Sequence, residues 1–250
     1  MGAGTRSGAE GVVGWLAKRA GQSLRDIGQM LWPDRCCLCA QPGLPGLDLC
    51  RYCMALAWVN RPACARCALP LGAQDDAGGI CGRCLRRPGP LAAVHAAWCY
   101  ADPLDQLVVR NKFAGDLAAG RTLARLMASQ PPPWLSRDLV LVPVPLHRQR
   151  LRTRGFDQAL ELVRLLSRAT GLRWQNALER VALTQPQSTL SRAQRRRNLR
   201  GAFQALPGCP VQVILVDDVM TSGATLAAAA RALQQGGAVQ VFAWVAARTP

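Results

Sequence analysis

Lysine and histidine are nearly missing from this chain of 250 residues. Lys18 and Lys112 are the only lysines among 31 basic residues, and His95 and His147 are the only histidines. Two histidines leave no Ser-His-Asp arrangement and no His-Glu-x-x-His helix to support. His95 sits in an apolar stretch and reads as a core residue. His147 lies among arginines, where it can touch a phosphate. Long apolar runs are missing too. None approaches the ~18 uninterrupted residues of a membrane span, so no stable membrane insertion is expected. Near the start, Val12, Val13, Trp15 and Leu16 run straight into Lys18, Arg19, Arg25 and Asp26, which is not the apolar core of a secretory signal. Neither a Walker-A lysine loop nor a Gly-x-Gly-x-x-Gly turn occurs, which removes the commonest nucleotide-binding motifs.

What is abundant is arginine, which makes up all the basic residues but two and brings the formal net charge to +16 and the isoelectric point to about 10.6. A planar guanidinium fork suits phosphate. Such a balance favours polyanionic partners, either nucleic acid or phosphorylated small molecules. Cysteine is abundant as well, with 11 in all. Eight fall into four Cys-x-x-Cys pairs: Cys36/Cys39, Cys50/Cys53, Cys64/Cys67 and Cys81/Cys84. Paired knuckles without an export signal point to a reducing compartment, the cytoplasm, and to metal instead of disulfides. Tetrahedral zinc needs four ligands, so these eight suffice for two structural zinc ions. Consecutive pairs sharing one ion is the simplest assignment, and an interleaved arrangement is the other. Cys37, Cys99 and Cys209 are left over as core or incidental residues.

Three regions follow from texture. Residues 1–33 comprise a polar tail and an amphipathic helix over 10–32, with Val12, Leu16, Leu24, Ile27 and Leu31 at helical spacing. Residues 34–90 hold the cysteine pairs and end in the linker Arg86-Arg87-Pro88-Gly89-Pro90. From 91 to 250, strands alternate with helices. Strands are predicted over 94–101, 139–144, 211–216 and 239–246, and helices over 104–109, 117–127, 155–169 and 224–235. That alternation implies an α/β domain with a mostly parallel sheet flanked by helices.

The most informative segment is Val213-Ile214-Leu215-Val216-Asp217-Asp218-Val219-Met220-Thr221-Ser222-Gly223-Ala224-Thr225. An apolar strand delivers two carboxylates at its carboxyl end, then a hydroxyl- and glycine-containing loop, then a helix. Ligands of open α/β sheets bind at this edge. The helix N-terminus suits a phosphate monoester, and Gly223 permits close backbone approach. Asp217 and Asp218 repel phosphate but accept hydrogen bonds from a sugar diol. The segment therefore reads as a ribose-5-phosphate cradle.

Two further segments fit the same site. One is Val144-Pro145-Leu146-His147-Arg148 running on through Arg150 and Arg152 to Arg154, a strand-end loop able to neutralise a leaving pyrophosphate. The other runs from Gln187 to Phe203 through Arg195, Arg196 and Arg197, and serves either as a lid or as a nucleic-acid contact. Residues 148–200 carry 13 arginines against Asp157, Glu161 and Glu179.

The signature strand and loop resemble the phosphoribosyl-pyrophosphate motif of type I phosphoribosyltransferases. The order of features resembles the ComF family of bacterial competence-associated proteins: four cysteine pairs, then Val109-Arg110-Asn111-Lys112-Phe113, Pro143-Val144-Pro145-Leu146-His147, Arg154-Gly155-Phe156-Asp157-Gln158, the Arg195-to-Phe203 segment and the signature. This resemblance implies a double zinc ribbon joined to a type I phosphoribosyltransferase fold. It implies Thr221, Ser222, Gly223, Ala224 and Thr225 on the 5-phosphate, Asp217 and Asp218 on the ribose hydroxyls, and Val144 to Arg148 facing pyrophosphate. Lys112 matches a position near the site, and Asp157 stands where relatives often carry Asn. Magnesium would bridge the sugar and pyrophosphate oxygens. The implied partners are phosphoribosyl pyrophosphate, single-stranded DNA and other DNA-uptake proteins. The implied roles are pentosyl transfer, or binding of nucleic acid or sensing of the sugar phosphate without turnover.

Overall fold

The computed structural model describes residues 34–72, 79–182, 199 and 201–250. The helix expected over 10–32 and the arginines Arg195, Arg196 and Arg197 lie outside the described residues. The chain divides into two compact units, residues 1–51 and 52–250.

The described part of the first unit is a zinc-ribbon knuckle. The backbone folds back through Cys36 N–H to the Gln41 carbonyl and Ala40 N–H to the Cys36 carbonyl, both 2.8 Å. In the second unit the same turn recurs, with Cys64 N–H on the Leu69 carbonyl and Ala68 N–H on the Cys64 carbonyl. Ala40 and Ala68, each four residues after the leading cysteine, both take a left-handed conformation. Helix α1 (Arg51–Leu56) follows the second cysteine pair's first member, and α2 (Gly82–Arg86) the fourth pair's.

The second unit is built on a parallel sheet. Its short edge pieces β1 (Val94–His95) and β2 (Trp98–Cys99) both pair with the long strand β7 (Gln240–Arg248). Next to β7 lies β6 (Gln212–Met220), and next to that β3 (Val140–Pro143). Helices α3 (Leu104–Ala114), α4 (Leu117–Ser129), α5 (Arg148–Arg154), α6 (Gln158–Thr170) and α7 (Ala224–Gln235) connect and cover the strands. The α/β class and parallel pairing match the sequence reading. Val213 to Val216 are fully buried because helices cover both faces of a parallel sheet. On one face, Val213, Leu215, Ala243 and Val245 share a cluster with Leu226 and Leu233 of α7 and with the second cysteine set. The alternate residues Leu141, Ile214 and Trp244 are buried on the other. Buried Asn60 ties the second knuckle to the β1–β2 region, donating to the carbonyls of Ala68 at 2.9 Å and Ala96 at 3.0 Å. His95 is structural: its ring Nε2 donates to the Gln130 carbonyl at 2.8 Å.

Several boundaries differ from those read in the sequence; the helix expected over 104–109, for instance, continues to Ala114. The strand over 94–101 is two short pieces. The helix expected over 155–169 starts later, at Gln158 (α6) behind its cap Asp157, and the arginine segment before it, read as a loop, is itself a helix, α5, which Gly155 (φ 82°) ends. The strand expected over 211–216 continues to Met220, pairing with β7 as far as Arg248, so Asp217 and Asp218 lie within it and not beyond it. Backbone pairing with a long neighbour outweighs the low strand preference of aspartate. A small antiparallel pair, β4 (Leu178–Arg180) with β5 (Phe203–Ala205), was not foreseen, and it carries residues 181–202 between its strands.

Asp157 holds two elements at once: its carboxylate accepts from Leu160 N–H at 3.2 Å, capping α6, and from Leu146 N–H at 3.1 Å, fixing the loop after β3. Asp157→Ala is expected to lower the unfolding free energy by roughly 1–2 kcal/mol. The measurement is a drop in the urea midpoint at unchanged slope.

Candidate functional site

The site arises where β3 stops and β6 does not. Pro143 is the last β3 residue and pairs with Val216, after which Val144 N–H bonds to the Val216 carbonyl and the chain turns away. From Asp217 to Met220, β6 pairs among the described residues with β7 alone. Successive strand residues alternate sides, and an open edge lets both carboxylates reach one cavity. That cavity has a volume of about 680 Å³. It brings together Asp217, Asp218, the whole Thr221–Thr225 loop, Val144, Pro145, Leu146 and Arg154.

The loop is shaped by glycine. Gly223 caps α7 in a left-handed conformation (φ 75°), and a Cβ there would sit 2.4 Å from Met220 Cε. The left-handed dihedral therefore favours glycine here, whereas the flexible end of Met220 would only have to shift to admit a Cβ. Ser222 Oγ accepts from Ala224 N–H at 3.4 Å, and the first turn of the 12-residue helix faces the cavity through Ala224, Thr225 and Leu226.

The acids are not equivalent. Asp218 is 5% exposed and lies 3.4 Å from Lys112 Nζ. Asp217 is pushed up to about 8 from its ordinary 3.8, first by burial and then by the Asp218 charge, against the opposing pull of Lys112. Each carboxylate also accepts the backbone N–H of the following residue, at 2.9 Å for Asp217 and 2.7 Å for Asp218.

Opposite the acids stand guanidinium groups. The segment read as an arginine loop is helix α5, so its arginines point in different directions. Arg150, Thr153 and Arg154, at helical spacing, line the cavity. Arg148 does not. It is exposed and pairs with Glu179 at 2.7 Å. His147 does not line it either, and caps α5 by accepting from Gln149 N–H at 3.2 Å. Arg180 joins the site unforeseen: it is 6% exposed on β4, packs over the Phe203 ring at 5.3 Å and lines the cavity. Its sequence signal is slight, an arginine alternating with Leu178 on the buried side of a short strand. Burial draws both Arg154 and Arg180 below the usual guanidinium value. The remaining wall is apolar, made by Tyr100, Val108, Val109 and the exposed Phe113, with Arg154 stacked over the Phe113 ring at 5.6 Å.

The cysteines gather into two sets, Cys36/Cys39/Cys50/Cys53 and Cys64/Cys67/Cys81/Cys84, the sulfurs of each within 4.8 Å of one another. Consecutive pairs share a site, and the interleaved alternative is excluded. A tetrahedron with Zn–S about 2.3 Å long has S···S edges of about 3.8 Å. Cys39···Cys50 at 3.5 Å and Cys67···Cys81 at 3.7 Å fit that edge. Burial opposes ionisation of Cys36 and Cys64, but knuckle N–H groups outweigh it and bring the thiols to about 6 and about 7. All-thiolate sites of this kind hold structural zinc.

A double zinc ribbon family matches residues 27–85. The chain is 33% identical over 225 residues to DNA utilization protein YhgH of Escherichia coli K12, covering 87% of this chain and 98% of that protein. It is 34% identical over 178 residues to Competence protein F of Haemophilus influenzae, covering 67% of this chain and 78% of that one. Among solved structures, the glutamine phosphoribosylpyrophosphate amidotransferase of B. subtilis aligns with a TM-score of 0.34 at 21% identity, over 51% of this chain and 26% of that one. With the two cysteine sets, the parallel sheet and near-complete overlap with YhgH in hand, the chain belongs to the ComF family.

Proposed function

We propose that the cavity binds phosphoribosyl pyrophosphate with magnesium. The observation that carries this reading is a two-sided cavity. An acid pair on an open strand edge leads directly into a glycine-opened helix, and arginines face it from the other side. The Thr221–Thr225 loop would take the 5-phosphate on amides and hydroxyls. Asp217 and Asp218 would accept the ribose hydroxyls. Pyrophosphate would lie toward Arg150, Arg154 and Arg180, with Val144, Pro145 and Leu146 as its backbone wall. Of the arginines named from the sequence for this role, Arg150 and Arg154 line the cavity, Arg148 and Arg152 do not, and Arg180 on β4 joins them. Magnesium would supply charge neutralisation at the leaving group.

In pentosyl transfer the bond from the anomeric carbon to pyrophosphate breaks, pyrophosphate leaves with the electron pair, and an acceptor forms the new bond. The guanidinium groups would hold the departing charge. The Tyr100–Val109–Phe113 wall is left for the acceptor. The relatives' names concern DNA utilisation and competence. With a net charge of +16, they support a second role on the same chain, contact with single-stranded DNA during uptake in the cytoplasm, alongside other uptake proteins. Arg195, Arg196 and Arg197 are the proposed contacts.

Titration calorimetry with phosphoribosyl pyrophosphate and magnesium tests the first reading. Asp217→Asn with Asp218→Asn is expected to abolish heat at concentrations that saturate the wild type. Arg180→Gln is expected to weaken phosphoribosyl pyrophosphate about tenfold or more while sparing ribose 5-phosphate. Equal loss for both ligands would remove Arg180 from the pyrophosphate side.

A raised carboxyl pKa favours the protonated form in the fold. The Asp217 contribution is therefore fully present below 3.8 and is lost as pH rises through about 8. Stability without ligand should fall over that window, and Asp217→Asn should flatten the decline. Ligand binding that needs the carboxylate should release a proton below pH 8, seen as buffer-dependent heats.

For DNA, Arg195→Ala/Arg196→Ala/Arg197→Ala should reduce the slope of log affinity against log salt by about 2 for a single strand. An unchanged slope would exclude these arginines.

A further inference from the structure

The last residue of β7 links the second cysteine set to the phosphate loop. Arg248 is 3% exposed. Its Nε donates to the carbonyl of Cys67 at 3.1 Å, and its Nη1 donates to the carbonyl of Met220 at 3.0 Å and to that of Thr249. Cys67 supplies a sulfur to the second set, within the knuckle that Ala68 N–H closes onto the Cys64 carbonyl. Met220 is the last residue of β6, and its side chain fills the space beneath Gly223. One guanidinium therefore touches both a ligand-bearing turn and the residue on which the Thr221–Thr225 loop rests. Thr249 N–H adds a further bond to the Met220 carbonyl at 3.1 Å. The two ends also share packing, since Cys64, Cys67, Cys81, Cys84, Met220 and Leu226 belong to one buried cluster.

A buried guanidinium is costly unless its donors are met, and its planar fork fixes the directions of the carbonyls it meets. A closed tetrathiolate zinc site carries a formal charge of −2, which favours a buried cation bonded to its own turn. If the knuckle shifts, Arg248 must give up one carbonyl or drag the other.

We infer that Arg248 is a positioning residue through which the second zinc knuckle holds the phosphate loop in its binding shape. Zinc at this site then matters for ligand affinity as well as for folding. The affinity half of this inference rests on the proposed phosphoribosyl pyrophosphate reading; the loop-rigidity half does not.

The test is amide hydrogen exchange on the full-length, zinc-loaded protein, with α4 amides as an internal reference, together with zinc quantification and calorimetry using phosphoribosyl pyrophosphate and magnesium. Arg248→Gln should keep the wild-type zinc content and speed exchange at residues 221–225 about tenfold relative to α4. It should weaken ligand binding by a similar factor. Arg248→Lys keeps the charge but not the fork, and should lie between. Cys84→Ser should lose zinc and loosen the same loop amides without any change at residue 248. Wild-type exchange at 221–225 in Arg248→Gln would overturn the proposal. So would equal acceleration in α4, which makes Arg248 a general stabiliser. If the wild type itself binds no phosphoribosyl pyrophosphate, the functional reading fails while the exchange comparison still decides the role of Arg248.

Discussion

The site depends on a mismatch in strand length. β6 and β7 stay paired to Met220 and Arg248, while β3 leaves the sheet at Pro143, opposite Val216. Among the described residues, four residues of β6 are thereby left with one neighbouring strand. Two of them are aspartates. Further β3 pairing beyond Pro143 would have covered that edge and buried the carboxylates without a cavity. Asp157 then fixes the departing loop through Leu146, so the far wall of the cavity is set by a helix cap.

Charge is sorted within this small space. The acids sit on the strand, restrained by Lys112 from α3, and the arginines come from α5 and β4. Neither group is well placed alone. Burial and mutual repulsion raise the Asp217 carboxyl above its ordinary value, and burial disfavours the charge on Arg180. A ligand carrying both a diol and anionic phosphates would relieve both strains together.

The cysteine sets repeat one local turn but stand in different surroundings. The second is part of the hydrophobic core of the sheet domain and is tied to it by Asn60 and Arg248. A metal site embedded in this way constrains residues far along the chain, as the contact between Arg248 and Cys67 illustrates.

Much of this was readable from the sequence because it is encoded locally. Cys-x-x-Cys spacing specifies a knuckle, an apolar run specifies a buried strand, and Thr-Ser-Gly before an alanine-rich segment specifies a helix start. That Asp217, Asp218 and Thr221–Thr225 share one cavity follows from contiguous residues, as does the α/β class. Tertiary structure decided what depends on direction and partner. It sent Arg148 to Glu179 and Arg150 to the cavity, because a helix spreads neighbouring side chains around its axis. It brought in Arg180 from a short hairpin with no strong local signal. It also extended β6 past its acids, because strand length is set by the neighbour that supplies hydrogen bonds, and no single segment of sequence contains its neighbour.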